Sequence, residues 1–212
     1  MLARDMAAWE WQGERGMLRS FDGGITQANA AARALASEIA ALDLEEVADI
    51  VPGARTLLVS LLSGREPSSR LQRSLASTPA VEAARVGSLH SVGVSYDGPD
   101  LEDVARLAGL STGEVVSLHS SVEYTVAFIG FQPGFPYLVG LPSRLVVPRL
   151  ETPRARVPAG SVAIAGEYTG IYQAATPGGW RLIGRTDEIL FDVSSSSPCR
   201  LSPGDRVRFV PA

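Results

Sequence analysis

The chain has 212 residues, 45% of them hydrophobic and 20% charged, with a net charge of −4. That length suits two domains of about 100 residues each. The composition excludes a disordered or fibrous chain, and the acidic balance argues against a nucleic-acid binder.

No uncharged apolar run reaches the ~18 residues of a membrane span, and the start lacks the charged and apolar regions of a secretory signal. Cys199 is the single cysteine, which precludes an internal disulfide and fits a reducing, cytoplasmic setting. All 19 basic residues are arginine, so Schiff-base chemistry and a phosphate-loop lysine are excluded within this chain. Two histidines, His90 and His119, and one cysteine cannot assemble a typical zinc site. No metal site is expected in the chain.

In chain order, Ile25, Ala28, Ala32, Leu35, Ile39 and Leu42 recur at spacings of three and four and predict a helix behind Gly23-Gly24. Asp49 to Val51 and Arg55 to Leu62 read as strands around a Pro52-Gly53 turn. A second helix is expected from Pro67 to about Ala76, with proline in its first turn. Two strand-and-helix units in so short a span suggest a small ferredoxin-like α/β domain, 1–88.

The pattern then changes. After a strand from Leu89 to Tyr96, Asp100 is placed to cap a helix that ends at Gly109. Ser111 and Glu114 stand at capping-box spacing for another, which ends near His119. Beyond it only strand-like runs remain: Val122 to Phe131, Ser161 to Ala165, Trp180 to Thr186, Ile189 to Val193 and Arg206 to Val210. Many short strands between Pro and Gly turns predict a β-barrel or sandwich over 89–212, and an α+β class for the whole.

The loops between those strands carry the most specific signal. They read Gly130-Phe131-Gln132-Pro133-Gly134-Phe135-Pro136-Tyr137-Leu138, Pro148-Arg149, Thr152-Pro153-Arg154, Val157-Pro158-Ala159-Gly160-Ser161-Val162 and Thr176-Pro177-Gly178-Gly179-Trp180. Together they closely resemble the family of KipI, the B-type subunits of 5-oxoprolinase and the proteins called allophanate hydrolase subunit 1. The match is dense from Tyr124 to Thr186 and weak before residue 90. Gln173 departs from it, standing where many relatives have proline.

The resemblance implies a cyclophilin-like β-barrel after the N-terminal domain. It also implies a second subunit, of the type of KipA, the C-type 5-oxoprolinase chain or allophanate hydrolase subunit 2. The activity implied first is that of a 5-oxoprolinase subunit, in which ATP, with magnesium and bound by the complex, drives opening of the 5-oxoproline ring to glutamate. A subunit of the allophanate hydrolase or urea carboxylase pathway is the competing enzyme reading. A KipI-like histidine-kinase inhibitor that acts by binding alone is the non-enzyme one.

Among the residues, Arg149, Arg154 and Arg156 lie on a proline-interrupted, extended segment, and Arg185 follows the Trp180 strand. Guanidinium forks suit a carboxylate or phosphate, yet the same arginines would serve equally well as loop braces. Gly178 and Gly179 offer close backbone approach to a ligand, and Ser161 a hydroxyl donor. Phe135, Tyr137 and Trp180 offer aromatic surface beside those turns. His119 is the one imidazole near the matching segment, with a pKa suited to proton transfer. Lacking a complete nucleophile, base and phosphate-binding set, the chain is expected to act on a small-molecule substrate only with its partner.

Overall fold

Small residues at Ala28 and Ala32 and larger ones at Ile25, Leu35 and Ile39 bury one stripe of helix α1 (Ile25–Ala40). Leu35 and Ile39 share one core with the alternate residues Leu57, Val59 and Leu61 of strand β4 (Thr56–Leu61), as expected where one face of a strand is covered. This is the organising contact of the first of two compact units, 1–85 and 86–212, into which the chain divides. The computed structural model describes residues 9–79 and 87–212.

Strands β1 (Glu10–Gln12), β2 (Gly16–Ser20), β3 (Val47–Pro52) and β4 form one antiparallel sheet in the order β1-β2-β4-β3. Helix α2 (Ser69–Ala76) adds Leu71 and Leu75 to the same core. It starts two residues after Pro67, because the Ser68 hydroxyl accepts the Leu71 N–H at 3.2 Å and fixes the N-cap there. The run β2-α1-β3-β4-α2 places β4 between β2 and β3 in the sheet. Beside β2, the edge is occupied by β1, and among the described residues no strand after α2 joins this sheet.

In the second unit, strand β5 (Leu89–Val94) leads to α3 (Leu101–Ala108) and α4 (Thr112–Ser120). Ser111 and Glu114 form the expected reciprocal capping box of α4, and Gly109 ends α3 in the left-handed conformation at φ 65°. Asp100 holds the N-cap position of α3, but its side chain makes no cap bond. Its carboxylate binds Arg154 and the Leu182 N–H instead.

Seven strands follow one another in the sheet order β12-β9-β10-β7-β6-β13-β5. They comprise β6 (Glu123–Ile129), β7 (Pro136–Val139), β9 (Ser161–Ala165), β10 (Tyr168–Ile171), β12 (Arg181–Arg185), β13 (Arg206–Pro211) and β5. The pairing of β13 with β5 is parallel, from Arg206↔Leu89 to Pro211↔Val94. The sheet curls until its two ends meet, where Ser95 and Arg185 exchange both backbone hydrogen bonds at 2.9 Å. The result is a nearly closed barrel. A short ribbon of β8 (Arg154–Val157) and β11 (Thr176–Gly178) stands apart from the seven.

Every residue of β9 is buried, which means both faces of that wall are covered. Val162 and Ile164 join the main core with Ile171 and Ile183. Ala163 faces the other way, into a second cluster with Phe135, Val157, Tyr172 and Leu182. The expected strand from Ile189 to Val193 does not form: only the single bridge Phe191↔Cys199 pairs there, and Ile189 and Val193 are exposed. Among the described residues, no helix is long and apolar enough to cross a membrane.

Candidate functional site

The second cluster opens into a cleft of about 270 Å³, lined by Phe131, Phe135, Tyr137, Tyr172, Trp180 and Arg149, with Pro153, Pro177 and the Gly178-Gly179 pair. Phe135 is its hub. Its ring meets those of Tyr172, Tyr137, Trp180 and Phe131 edge to face, at centroid separations of 5.0, 5.1, 5.3 and 5.5 Å, the arrangement favoured by aromatic quadrupoles. Glycine at 170 makes that packing possible: a Cβ there would lie 2.8 Å from the Pro136 carbonyl and about 3 Å from the Phe135 and Trp180 rings. Phe131 is 60% exposed at the rim and holds a positive φ of 68°, a rare conformation for a bulky residue.

Arg149 supplies the charge. Its main chain is fixed on both sides: the Leu150 N–H donates to the Gly179 carbonyl at 2.7 Å, and the Pro148 carbonyl accepts Arg181 Nε at 2.8 Å. Arg181, which sequence reasoning missed, is buried and also pairs with Asp103 of α3. Its place directly after Trp180 in a family loop was the available signal. The Arg149 side chain is exposed and makes no ion pair with any described residue. It lies over the Gly178-Gly179 turn, where a Cβ at Gly179 would stand 3.1 Å from its guanidinium. Burial pushes the phenols of Tyr137 and Tyr172 up in pKa, and the charge of Arg149 opposes that rise at both.

The cleft thus gathers Phe135, Tyr137, Arg149, Gly178, Gly179 and Trp180 from the residues singled out by sequence. Five others do not line it, among them Arg156, which is exposed on β8. Arg154 Nη2 binds Asp100 Oδ1 at 2.6 Å, a brace between β8 and the start of α3. Arg185 pairs with Asp97 at 3.0 Å beside the barrel closure and lines a separate surface hollow with Arg200 and Glu188. The Ser161 hydroxyl donates to the Pro158 carbonyl at 2.8 Å inside its own turn.

His119 is fully buried, its ring stacked on Phe209 at 4.6 Å. Its Nε2 lies 2.9 Å from the Thr169 hydroxyl and its Nδ1 2.8 Å from the Tyr96 hydroxyl. Burial lowers its pKa to about 3. The imidazole is therefore neutral, fully bonded and away from the cleft. The expectation of proton transfer gives way to a structural part in the core. Among the described residues, no three His, Cys, Asp or Glu side chains approach closely enough to hold a metal ion.

The sequence profile of the family described as carboxyltransferase domain, subdomain C and D, matches residues 7–201. The chain belongs to that family. Within it, the chain is 49% identical over 178 residues to the B-type 5-oxoprolinase subunit of Escherichia coli O157:H7, a match that covers 80% of each protein. The crystal structure of TTHA0988 superposes with a TM-score of 0.82 at 39% identity, over 93% of this chain and 40% of that one. Urea amidolyase of Saccharomyces cerevisiae is 32% identical over 119 residues, 53% of this chain but 6% of its own length. The family loops read in the sequence, from Gly130 to Leu138 and from Thr176 to Trp180, are the segments that wall the cleft.

Proposed function

We propose that this chain is the B-type subunit of a 5-oxoprolinase and holds 5-oxoproline in the aromatic cleft. The observation that carries the reading is the 49% identity to the Escherichia coli 5-oxoprolinase subunit over 80% of both proteins. The cleft agrees in chemistry: one guanidinium without a carboxylate partner among the described residues, set between aromatic walls, suits a small ring that bears a carboxylate. Its volume of about 270 Å³ is below the ~300–1,000 Å³ of sites for drug-sized ligands, which favours the ring acid over a nucleotide. The N-terminal unit is read as a variant of the ferredoxin-like pattern and the barrel as cyclophilin-like.

In this reading Arg149 holds the carboxylate by a charge-assisted fork, while Phe135, Tyr137 and Trp180 pack the ring and exclude water. ATP is the second substrate. Among the described residues no three His, Cys, Asp or Glu side chains gather to hold magnesium, so the nucleotide site is assigned in this reading to the complex, with a partner of the KipA or C-type 5-oxoprolinase kind. The lone cysteine and the ATP requirement favour a cytoplasmic setting for the complex.

Turnover is the test. The purified chain should leave 5-oxoproline and ATP unchanged, and co-purified partner subunits should restore ATP hydrolysis that depends on 5-oxoproline and releases glutamate. Turnover by the isolated chain would falsify the shared site. A complex that ignores 5-oxoproline would transfer the reading to the amides handled by the urea amidolyase relatives.

A further inference from the structure

The Tyr172 hydroxyl is the polar group of the cleft that the family loops do not advertise. The ring is almost wholly buried and is held by Phe135 and, at 6.3 Å, by Phe131. The hydroxyl lies against the Gly178 backbone, where a Cβ would come within 2.5 Å of the oxygen. Glycine at 178 is thus the residue that leaves room for the phenol to reach the cleft floor. A phenol offers one donor proton beside its acceptor lone pairs. None of the described residues accepts that proton. Burial, which raises the pKa, keeps the phenol protonated.

We propose that Tyr172 is the specificity-determining donor of the cleft, giving its hydroxyl proton in a hydrogen bond to the ring carbonyl of a cyclic amide whose carboxylate rests on Arg149. The two groups stand against adjacent glycines, Arg149 over Gly179 and the phenol against Gly178, whose Cα atoms are about 3.8 Å apart. In 5-oxoproline the carboxylate and the carbonyl are borne on the two carbons that flank the ring nitrogen, so two donors set side by side can take both at once. A pocket polar group that pairs with a substrate oxygen discriminates strongly against analogues lacking it, because the group is then left buried and unpaired.

This inference rests on the 5-oxoprolinase reading, and its test separates the two. Tyr172→Phe is made in the assembled complex, and 5-oxoproline kinetics are compared with competitive inhibition by cyclopentanecarboxylate, which keeps the ring and carboxylate but lacks the carbonyl. Expected are a fall in kcat/KM for 5-oxoproline of roughly 3- to 10-fold, an inhibition constant for cyclopentanecarboxylate that is unchanged or lower, and an unchanged melting temperature. Arg149→Gln should weaken both ligands. Unchanged kcat/KM in Tyr172→Phe overturns the donor role, and so does equal weakening of both ligands or a large drop in melting temperature. Absence of 5-oxoproline turnover in the wild-type complex overturns the functional reading, and this inference with it.

Discussion

Arg154 donates to one oxygen of Asp100 at 2.6 Å, and the other oxygen of the same carboxylate accepts the Leu182 N–H at 2.7 Å. The pair ties three elements: the ribbon strand β8, the first turn of α3 and the barrel strand β12. Asp100 is 9% exposed and Arg154 30%, so the pair is only partly screened by water.

Arg154→Ala should therefore act on stability. Loss of a charge-assisted bond to a nearly buried carboxylate costs about 1.5–3 kcal/mol, which corresponds to a drop of roughly 5–10 °C in the melting temperature of a unit this size. Thermal unfolding followed by circular dichroism measures it. A melting temperature equal to wild type would remove the brace.

Arg149→Gln should show the opposite pattern. Its side chain is exposed and carries no ion pair in the described structure, so unfolding should shift by no more than about 1 °C. Turnover of the assembled complex should fall roughly 10- to 150-fold, the worth of a hydrogen bond to a charged group. Two arginines five residues apart thus separate by assay, one read by heat and the other by kinetics.

His119 makes stability depend on acid. Its folded pKa of about 3 lies below the ~6.5 of an unfolded histidine, so the unfolded chain binds the proton and the native core does not. The contribution is complete above pH ~6.5 and is lost as the pH falls toward 3, with an upper size of about 5 kcal/mol. Urea midpoints at pH 7, 5 and 4 should decline, and His119→Gln should flatten that slope. The tautomer is also fixed. Thr169 gives its proton to the Ala163 carbonyl at 3.0 Å, so it accepts from Nε2–H, and Nδ1 accepts from Tyr96. Nitrogen NMR of the ring should report the Nε2–H form at neutral pH.

Gly170→Ala tests the packing of the cleft without touching its polar groups. The new methyl would meet a backbone carbonyl at 2.8 Å and two rings at about 3 Å. Overpacking of this kind costs about 1–3 kcal/mol, and Trp180 should report the disturbance as a shift in its fluorescence. An alanine variant with wild-type spectrum and stability would show that the aromatic cluster yields more easily than its contacts imply.

Local rules carried the sequence reading furthest where one element decides its own structure. The capping box at Ser111 and Glu114, the stripe of α1 and the end of α3 at Gly109 all appear as expected. The short strands β7, β8, β10 and β11 were not legible, because runs of three or four residues have no period to read. The site divided in the same way. Its aromatic and glycine loops were visible as motifs, whereas the fate of each arginine depended on distant carboxylates. Asp100 and Asp103 take Arg154 and Arg181, and no spacing along the chain announces which guanidinium is left over. Asp100 itself illustrates the limit: its position favours capping, but a stronger partner from β8 claims it.

The parallel pairing of β13 with β5 also bears on how the barrel is made in the cell. Ser88 and Asp205, bonded at 2.9 Å beside the first rung of that pairing, are 117 residues apart in sequence. Val207 and Phe209 of β13 belong to the main core, so a nascent chain on the ribosome cannot seal the barrel until these last residues have left the exit tunnel. The β1–β4 sheet of the first unit has all its strands by Leu61 and is complete long before. Synthesis thus imposes an order: the N-terminal unit can settle while the barrel strands wait with their edges unpaired. Premature termination after β12 would leave the β5 and β6 edges open to pairing with other chains.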